Sequence, residues 1–347
     1  MIKIQILVHF VCMKRKEVYL IVLVALLVMA FFWSLGLGDV HISAKKIIEI
    51  FENQMFNTHN KVSFTDKYVL LNLRLPRILS AMLVGASLSL CGVIFQAVLL
   101  NPLADSYTLG AASGAAFGAT LAFILNLFYI SAFSVSLFAF FGAVLSLVIV
   151  LYVAGFKSNL SSINLIISGI IVATIFSSAI ALLDYLASKD VAYIMFWLMG
   201  SFDSSNWHNI RILFLVLTIV WFFAFFWADE LDIISLNELS AQSLGVNVVK
   251  IRFIALILAT LLTAVCVSSS GIIGFIGLIV PHIVRFIIGP KNRLLSIYSV
   301  LLGALLLLIA DTFSRSFSFQ IPIGVLTGLI GGPFFLYIYK IKVKKFV

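Results

Sequence analysis

Apolar runs separated by short polar or glycine-containing breaks recur along the whole chain. A helix needs roughly 20 mostly apolar residues to cross about 30 Å of hydrocarbon. The eighth run is too short to span unaided and carries Pro281 in its middle. We predict a single polytopic domain over residues 1–347, an all-α integral membrane protein with about ten transmembrane helices. The predicted helices cover residues 18–37, 76–99, 105–125, 131–154, 163–187, 209–227, 250–268, 274–288, 294–313 and 323–340.

Composition and charge agree with a membrane protein. Hydrophobic residues make up 63% of the chain and charged residues 11%, against about half and a quarter in soluble domains. The net charge of the chain is +9, and basic residues cluster at Lys14–Lys16 and at Lys340–Lys345, outside the first and last runs. By the positive-inside rule both termini are expected in the cytoplasm, which requires an even number of helices. Aromatic residues do not interleave with these basic clusters, so lipid and not nucleic acid is the expected surrounding.

Two polar segments stand out in this topology. Residues 39–68 are expected outside the membrane, where lysines balance acids and no chemistry is indicated. Residues 229–249 are expected in the cytoplasm, and leucines at approximate helical spacing predict a short amphipathic helix there. Ser235 is its expected N-cap and Gly245 its end. The helix lacks the lysines of a lipid-surface helix, which favours a protein partner.

Two sets of glycines recur at four-residue spacing. One set is Gly110, Gly114 and Gly118, and the other is Gly324, Gly328 and Gly332. Because this spacing places each set on one helix face, we predict close packing of neighbouring helices there. The alternative is that these faces let helices slide during transport.

The chain carries little catalytic chemistry. No phosphate-binding glycine loop occurs, so the chain is not expected to hydrolyse ATP. Its histidines and cysteines are scattered, and neither a metal site, a disulfide nor an enzyme active site is predicted. Asp184 and Asp311 fall near the outer ends of their helices. An ion-coupled secondary transporter, which would need a buried ionisable site, is therefore the weaker alternative to a transporter driven by a partner protein.

Three arginines are expected at the outer face. Arg74 and Arg77 flank the predicted start of the second span, where positive charge opposes the helix dipole, and Arg315 follows Asp311 by one turn. We predict that these arginines dock the carboxylates of an external protein. The alternative is that they reach the lipid headgroups, with an internal pair between Asp311 and Arg315.

Ordered motifs over residues 70–340 resemble the permease family of ABC importers for iron-siderophores, haem and cobalamin. The motifs include Arg74-Leu-Pro-Arg77, Asn101-Pro-Leu-Ala104, Phe196-Trp197-Leu-Met-Gly200, Gly274-Phe-Ile-Gly-Leu278 and Pro322-Ile-Gly324. The resemblance implies a type II ABC importer permease fold in the bacterial cytoplasmic membrane. It implies a second permease copy or paralogue, two ATPase subunits that bind ATP and magnesium, and a periplasmic or lipid-anchored substrate-binding protein. This chain itself is expected to hold no cofactor.

The resemblance also assigns residues by position. Arg74, Arg77 and Arg315 match the family's docking arginines. A cytoplasmic gate is implied at Asn101, Leu103, Ser161 and Ser162. The coupling segment that contacts the ATPase is implied at Leu236, Glu238, Leu239, Ser240, Gln242, Leu244 and Gly245. Leu100 departs from the arginine that the family often has before Asn-Pro-Leu-Ala, which argues against a cationic inner gate. An iron chelate or a similar large ligand such as cobalamin is the expected cargo.

Overall fold

The computed structural model describes residues 2–38, 42–56, 63–125, 132–155, 160–187, 191–317 and 321–343, with the side chains of the first helix described from residue 16 onward. Lys344 and Lys345, as well as parts of segment 39–68, lie outside these ranges. Every regular element in the described ranges is helical. The helices are α1 (Ile2–Gly36), α2 (Ala44–Phe56), α3 (Phe64–Tyr68), α4 (Leu75–Val98), α5 (Ala111–Ile124), α6 (Ala132–Ala154), α7 (Ser162–Ala187), α8 (Val191–Leu198), α9 (Trp207–Phe226), α10 (Ala228–Leu236), α11 (Glu238–Ser243), α12 (Val248–Ser270), α13 (Ile276–Ile288), α14 (Asn292–Arg315) and α15 (Ile323–Val343).

Ten of these helical stretches correspond to the ten predicted spans. Seven are long and apolar enough to cross a membrane, and three apolar helices are shorter. The seven are Lys16–Gly36, Phe64–Val98, Ser134–Ala154, Ser162–Leu186, Trp207–Phe226, Val248–Ser270 and Asn292–Arg315. The shorter ones are Ala111–Ile124, Ile276–Ile288 and Ile323–Tyr337. The all-α membrane fold is thereby confirmed.

The third span begins later than predicted. Residues 105–110 form a polar turn, because Asp105 accepts hydrogen bonds from the Tyr107 amide (3.0 Å) and the Thr108 hydroxyl (2.9 Å). Gly110 follows in the left-handed conformation, with φ of 75°, and α5 starts only at Ala111. The predicted start at residue 105 is therefore wrong by six residues, because an aspartate that binds its own backbone competes with the helix.

The second span begins earlier than predicted and includes a π-helical segment. The helical backbone runs from Phe64 to Val98, and Val69–Arg74 is π-helical. Pro76 therefore lies within a continuous helical stretch, directly after the segment where hydrogen bonding changes from the π to the α pattern. The prediction that Arg74 and Arg77 flank a helix N-terminus is wrong, so the helix dipole does not disfavour them.

Helix α4 is the central helix of the bundle. It packs against α9, α12, α13 and α14, and nearly all of its side chains beyond Val84 are buried. Gly85 lies against the carbonyl oxygen of Gly303 on α14, and Gly92 lies against that of Gly277 on α13. These glycines are seven residues apart and share one helix face. Their missing side chains let the backbones meet, and the dispersion attraction between the closely packed helices stabilises the bundle.

The two predicted glycine sets differ in their packing. Gly114 and Gly118 lie against the carbonyls of Gly142 and Phe138 on α6, as expected for a packing face. Gly110 instead sits in the turn before α5, close to the Ser146 hydroxyl of α6.

In α15 only the first glycine of the set packs closely. Gly324 contacts the carbonyls of Met199 and Ile272. Within the described residues, a Cβ on Gly328 would meet no atom within 4 Å, and one on Gly332 would meet only the Phe275 ring at 4.0 Å. The packing prediction is wrong for Gly328 and Gly332 within this chain, because hydrogen bonds hold α15 at its first turn. There the amides of residues 323 and 324 bond the carbonyls of residues 200 and 199.

A methyl group at Gly85 should weaken the bundle. In Gly85→Ala the added Cβ meets the Gly303 carbonyl, and overpacking of this kind costs about 1 to 3 kcal/mol. Gly328→Ala is the matched control, since its helical position is open. Thermal unfolding of the detergent-purified protein should show a lower Tm for Gly85→Ala and an unchanged or higher Tm for Gly328→Ala. Equal Tm values in both variants would contradict the close approach of α4 and α14.

Candidate coupling and gating site

The predicted coupling segment, residues 229–249, forms two short helices and not one. Asn237 has extended backbone, and its side-chain oxygen accepts a hydrogen bond from the Leu239 amide (2.9 Å), so Asn237 caps α11. The predicted Ser235 cap is wrong, because the Ser235 hydroxyl donates to the carbonyl of Leu231 within α10. The predicted end at Gly245 is confirmed, since its φ of 83° is left-handed.

Most of the predicted coupling residues face outward. The side chains of Leu236, Leu239 and Leu244 are 85%, 73% and 70% exposed. Ser240, Gln242 and Gly245 are exposed as well, whereas Ala241 is buried against the bundle. We call the three leucines the leucine surface. An apolar surface at the end of a bundle, outside the spanning helices, is typical of a protein contact.

Glu238 faces the opposite way and binds a buried arginine. Its Oε1 atom accepts a hydrogen bond from an Arg252 terminal nitrogen at 2.6 Å and one from the Ser162 hydroxyl at 3.2 Å. Arg252 stands in the first turns of α12, and its side chain is 0% exposed. A buried guanidinium is tolerated only when its donors are satisfied.

The remaining donors of Arg252 bind the two loops that carry the predicted gate residues. Its Nε atom donates to the carbonyl of Val98 (2.9 Å), the last residue of α4, and a terminal nitrogen donates to the carbonyl of Leu160 (2.8 Å) before α7. We call Arg252, Glu238, Ser162 and the Val98 and Leu160 carbonyls the Arg252 hub. All three guanidinium nitrogens have partners in it.

Backbone strain marks both loops. Leu160 and Leu100 have φ values of 43° and 51°, a left-handed conformation that costs a non-glycine residue about 1 to 3 kcal/mol. Such residues persist only where their surroundings hold them. The Arg252 hydrogen bonds to the Leu160 carbonyl and to Val98, two residues before Leu100, provide this restraint.

The structure brings some of the predicted gate residues to the hub and leaves others beyond it. Ser162 is buried in the hub, while Ser161 accepts a hydrogen bond from the Asn164 amide at the first turn of α7. Asn101 and Leu103 lie on the loop after Val98, where the Asn101 oxygen accepts from the Leu103 amide (2.9 Å). Leu103 is half exposed, so it can contact another surface.

The three predicted docking arginines are largely buried. Arg77 donates from Nε to Asp311 (2.9 Å), and Arg315 pairs with the other oxygen of Asp311 at 3.1 Å. Arg74 donates to the Leu35 carbonyl (2.7 Å) and Arg315 to the Ser34 hydroxyl (2.6 Å).

The fully buried Asp311 and the end of α1 hold these arginines within the protein, and their docking role stays a prediction. Arg77 also reaches an exposed partner, since it pairs with Asp203, whose side chain is 61% exposed. The internal pair between Asp311 and Arg315, the alternative from the sequence, is present.

A groove of about 600 Å³ that carries several hydroxyl groups runs along α7. On α7 its lining includes Thr174, Ser177 and Ser178, all exposed in the middle of an apolar spanning helix. Tyr107 and Thr108 line it from the turn before α5. Hydroxyl groups on a spanning helix usually face another helix or a polar pathway, not lipid.

Sequence reasoning missed the role of Arg252. The available signal was an arginine near the start of an apolar run, 14 residues after a glutamate in a partner-facing segment.

Near the coupling segment, burial raises the pKa of Asp232 above its ordinary value, although hydrogen bonds from Asn292 oppose this shift. Among the described residues, no group of three or more His, Cys, Asp or Glu could hold a metal ion.

Known proteins share this architecture over nearly the whole chain. The molybdate import system permease MolB of Haemophilus influenzae is 36% identical, over 92% of this chain and 95% of its own length. The Fe(3+)-citrate import system permease YfmE of Bacillus subtilis is 35% identical, over 96% of this chain and 97% of its own length. A solved inward-facing structure, assigned to the metal-chelate type of ABC transporter, superposes with a TM-score of 0.81 at 34% identity, covering 93% of this chain and 99% of that one.

These relatives are ABC permease subunits, which are transporter components and not enzymes. They give no support to an ion-coupled secondary transporter. The FecCD transport family matches residues 26–340. The resemblance seen in the ordered motifs is thus confirmed, and the chain belongs to the FecCD transport family.

Proposed function

We propose that this ABC permease imports a metal chelate or a related oxyanion, and that α10 and α11 receive the force of an ATPase. The single observation that carries this proposal is the geometry of α11. It presents the leucine surface outward and is tied inward, through Glu238 and Arg252, to both predicted gate loops. The similar permeases MolB and YfmE import molybdate and Fe(3+)-citrate, as their names state, which supports a cargo of this class.

The proposed assembly contains two copies of this chain or a copy and a paralogue, two ATPase subunits and an external substrate-binding protein. ATP and magnesium belong to the ATPase subunits, and this chain holds no cofactor. The leucine surface supports an ATPase contact, because its apolar area would be covered there. The hydroxyl-lined groove along α7 supports a translocation pathway that a second copy completes.

The proposed location is the bacterial cytoplasmic membrane, with both termini and the leucine surface in the cytoplasm. The positive-inside rule supports this orientation. Lys16 begins the first candidate span, and Lys250, Lys291 and Arg293 lie at the starts of α12 and α14. A ten-span path places all four on the same side as α10 and α11.

We propose that the hub transmits motion mechanically. When nucleotide binding moves the ATPase, the leucine surface would move with it, and α11 would carry Glu238. Breaking the Glu238 pair with the buried Arg252 costs about 3 to 5 kcal/mol, toward the lower end because Glu238 is partly exposed. The end of α4 and the start of α7 would therefore follow α11 before the pair separates.

At the outer face, the binding protein is proposed to dock beside Arg77. The exposed Asp203 occupies one terminal nitrogen of Arg77, and a carboxylate of the partner could replace it. Arg74 and Arg315 would then act by holding Asp311 and the end of α1 in position.

The leucine surface can be tested directly. Leu239→Asp and Leu244→Asp should abolish co-purification of the ATPase subunits, because a carboxylate in an apolar contact is desolvated without a partner. Lys250→Asp is the control, since Lys250 is exposed on the same side and an acid in the first turn of α12 is favourable. Membrane insertion should be normal in all three variants. Normal ATPase binding by both leucine variants would contradict the proposed contact.

The hub predicts uncoupling without loss of assembly. Arg252→Met and Glu238→Gln should each lower cargo uptake per ATP hydrolysed by about tenfold or more in proteoliposomes, while the ATPase subunits remain bound. The double variant should lose no more than the worse single variant, because the two residues act as one unit.

Arg293→Met provides the matched control. Arg293 pairs with Asp229 on the surface, where both side chains are substantially exposed, and its loss should leave the uptake ratio unchanged. Strictly additive losses in the double variant, or an equal loss in Arg293→Met, would show that the Arg252 pair does not carry the coupling.

A further inference from the structure

A polar cavity lies at the end of α4, where Ala97, the residue before Val98 of the hub, helps to line it. Its volume is about 190 Å³. It is bounded by Gln96 of α4, Asn101 of the predicted gate loop, Ser235 of α10, Arg285 of α13 and Asn292 of α14. The cavity therefore lies between the predicted gate loop, the coupling segment and three spanning helices, α4, α13 and α14.

Gln96 is a buried amide that lacks a partner. Only 5% of the residue is exposed, and in the described structure neither its amide nitrogen nor its oxygen makes a hydrogen bond. An unsatisfied buried polar group costs about 1 to 3 kcal/mol, so native structures rarely keep one empty. Since Gln96 lines the cavity, a molecule bound there would satisfy its amide group.

Arg285 supplies an uncompensated positive charge to the same cavity. It lies in the last turn of α13 and is partly buried. None of the ion pairs among the described residues involves it. The acid next to the cavity wall is Asp232, and its Oδ1 atom is held by the backbone and side-chain N–H groups of Asn292, both at 2.8 Å.

We propose that this cavity binds a small oxyanion, a carboxylate or a phosphate group. The Arg285 guanidinium provides a planar pair of donors that suits either group. Gln96 adds amide N–H donors, as does Asn101, whose oxygen already accepts from the Leu103 amide. Among the described residues, the cavity lining holds these donors and no carboxylate, a composition that favours an anion.

This site does not depend on the proposed transport cycle, because binding can be measured on the purified full-length chain. It differs from the Arg252 hub, where every guanidinium nitrogen already has a protein partner. An anion here would lie between the predicted gate loop and the coupling segment.

The test is ligand-dependent thermal unfolding of the detergent-purified protein with citrate or inorganic phosphate, at constant ionic strength set with sodium chloride. A bound anion should raise Tm in a saturable way. Arg285→Gln should weaken the apparent affinity by about tenfold or more, as expected for a lost charged hydrogen bond. Gln96→Leu should weaken it too, whereas Arg293→Gln should not.

The comparison of the two anions identifies the natural source of the oxyanion, because tighter citrate binding indicates a carboxylate and tighter phosphate binding a phosphate. If Arg285→Gln does not fold, Arg285→Lys serves instead, since it keeps the charge and loses the planar fork. It should bind more weakly than the native protein. A hydrated cavity only, with no saturable Tm shift beyond that of chloride, would overturn the proposal, as would equal affinities in Arg285→Gln and Arg293→Gln.

Discussion

The interaction on which the coupling end of this permease depends is the burial of one guanidinium group, that of Arg252. Arg252 is removed from solvent, so each of its donors must find an acceptor within the protein. The acceptors are the carbonyls of Val98 and Leu160 and the carboxylate of Glu238, which belong to the end of α4, the start of α7 and α11. One side chain thus fixes three segments that are far apart in sequence. Through Arg252, the short surface helix α11 is therefore connected to the loop after α4 and to the loop before α7.

A comparable constraint organises the other end of α4. Asp311 is fully buried and is balanced by Arg77 and Arg315, and Arg315 also binds the end of α1. The two charge clusters are separated by the length of α4, 24 residues or about 36 Å, and between them the contacts are apolar and closely packed at glycines. The two clusters thus contact α4 at its opposite ends.

The apolar runs were sufficient to predict the helical class and the approximate position of each span. Backbone N–H and C=O groups in lipid must be hydrogen-bonded within the protein, so a long apolar segment forms a helix. Details set by tertiary contacts were not accessible. The π-helical segment before Pro76 and the turn at Asp105 arise from local hydrogen bonding that competes with a regular helix. The glycines of α15 followed the expected spacing, yet Gly328 meets no described neighbour. Spacing shows which residues share a face, but not whether another helix covers it. The partners of Arg252 and Arg77 lie 14 to 234 residues away, beyond the reach of sequence pattern alone.

In the proposed mechanism, Arg252 transmits the movement of α11, caused by ATPase binding, to the two loops that carry the predicted gate residues. Hydrogen exchange of the permease with and without its bound ATPase measures this transmission most directly. In the native protein, ATPase binding should slow exchange in α11 and also in residues 99–104 and 160–165. In Arg252→Met, with the ATPase still bound, protection should remain in α11 and be lost in both loops. Unchanged protection of the loops in Arg252→Met would contradict the account.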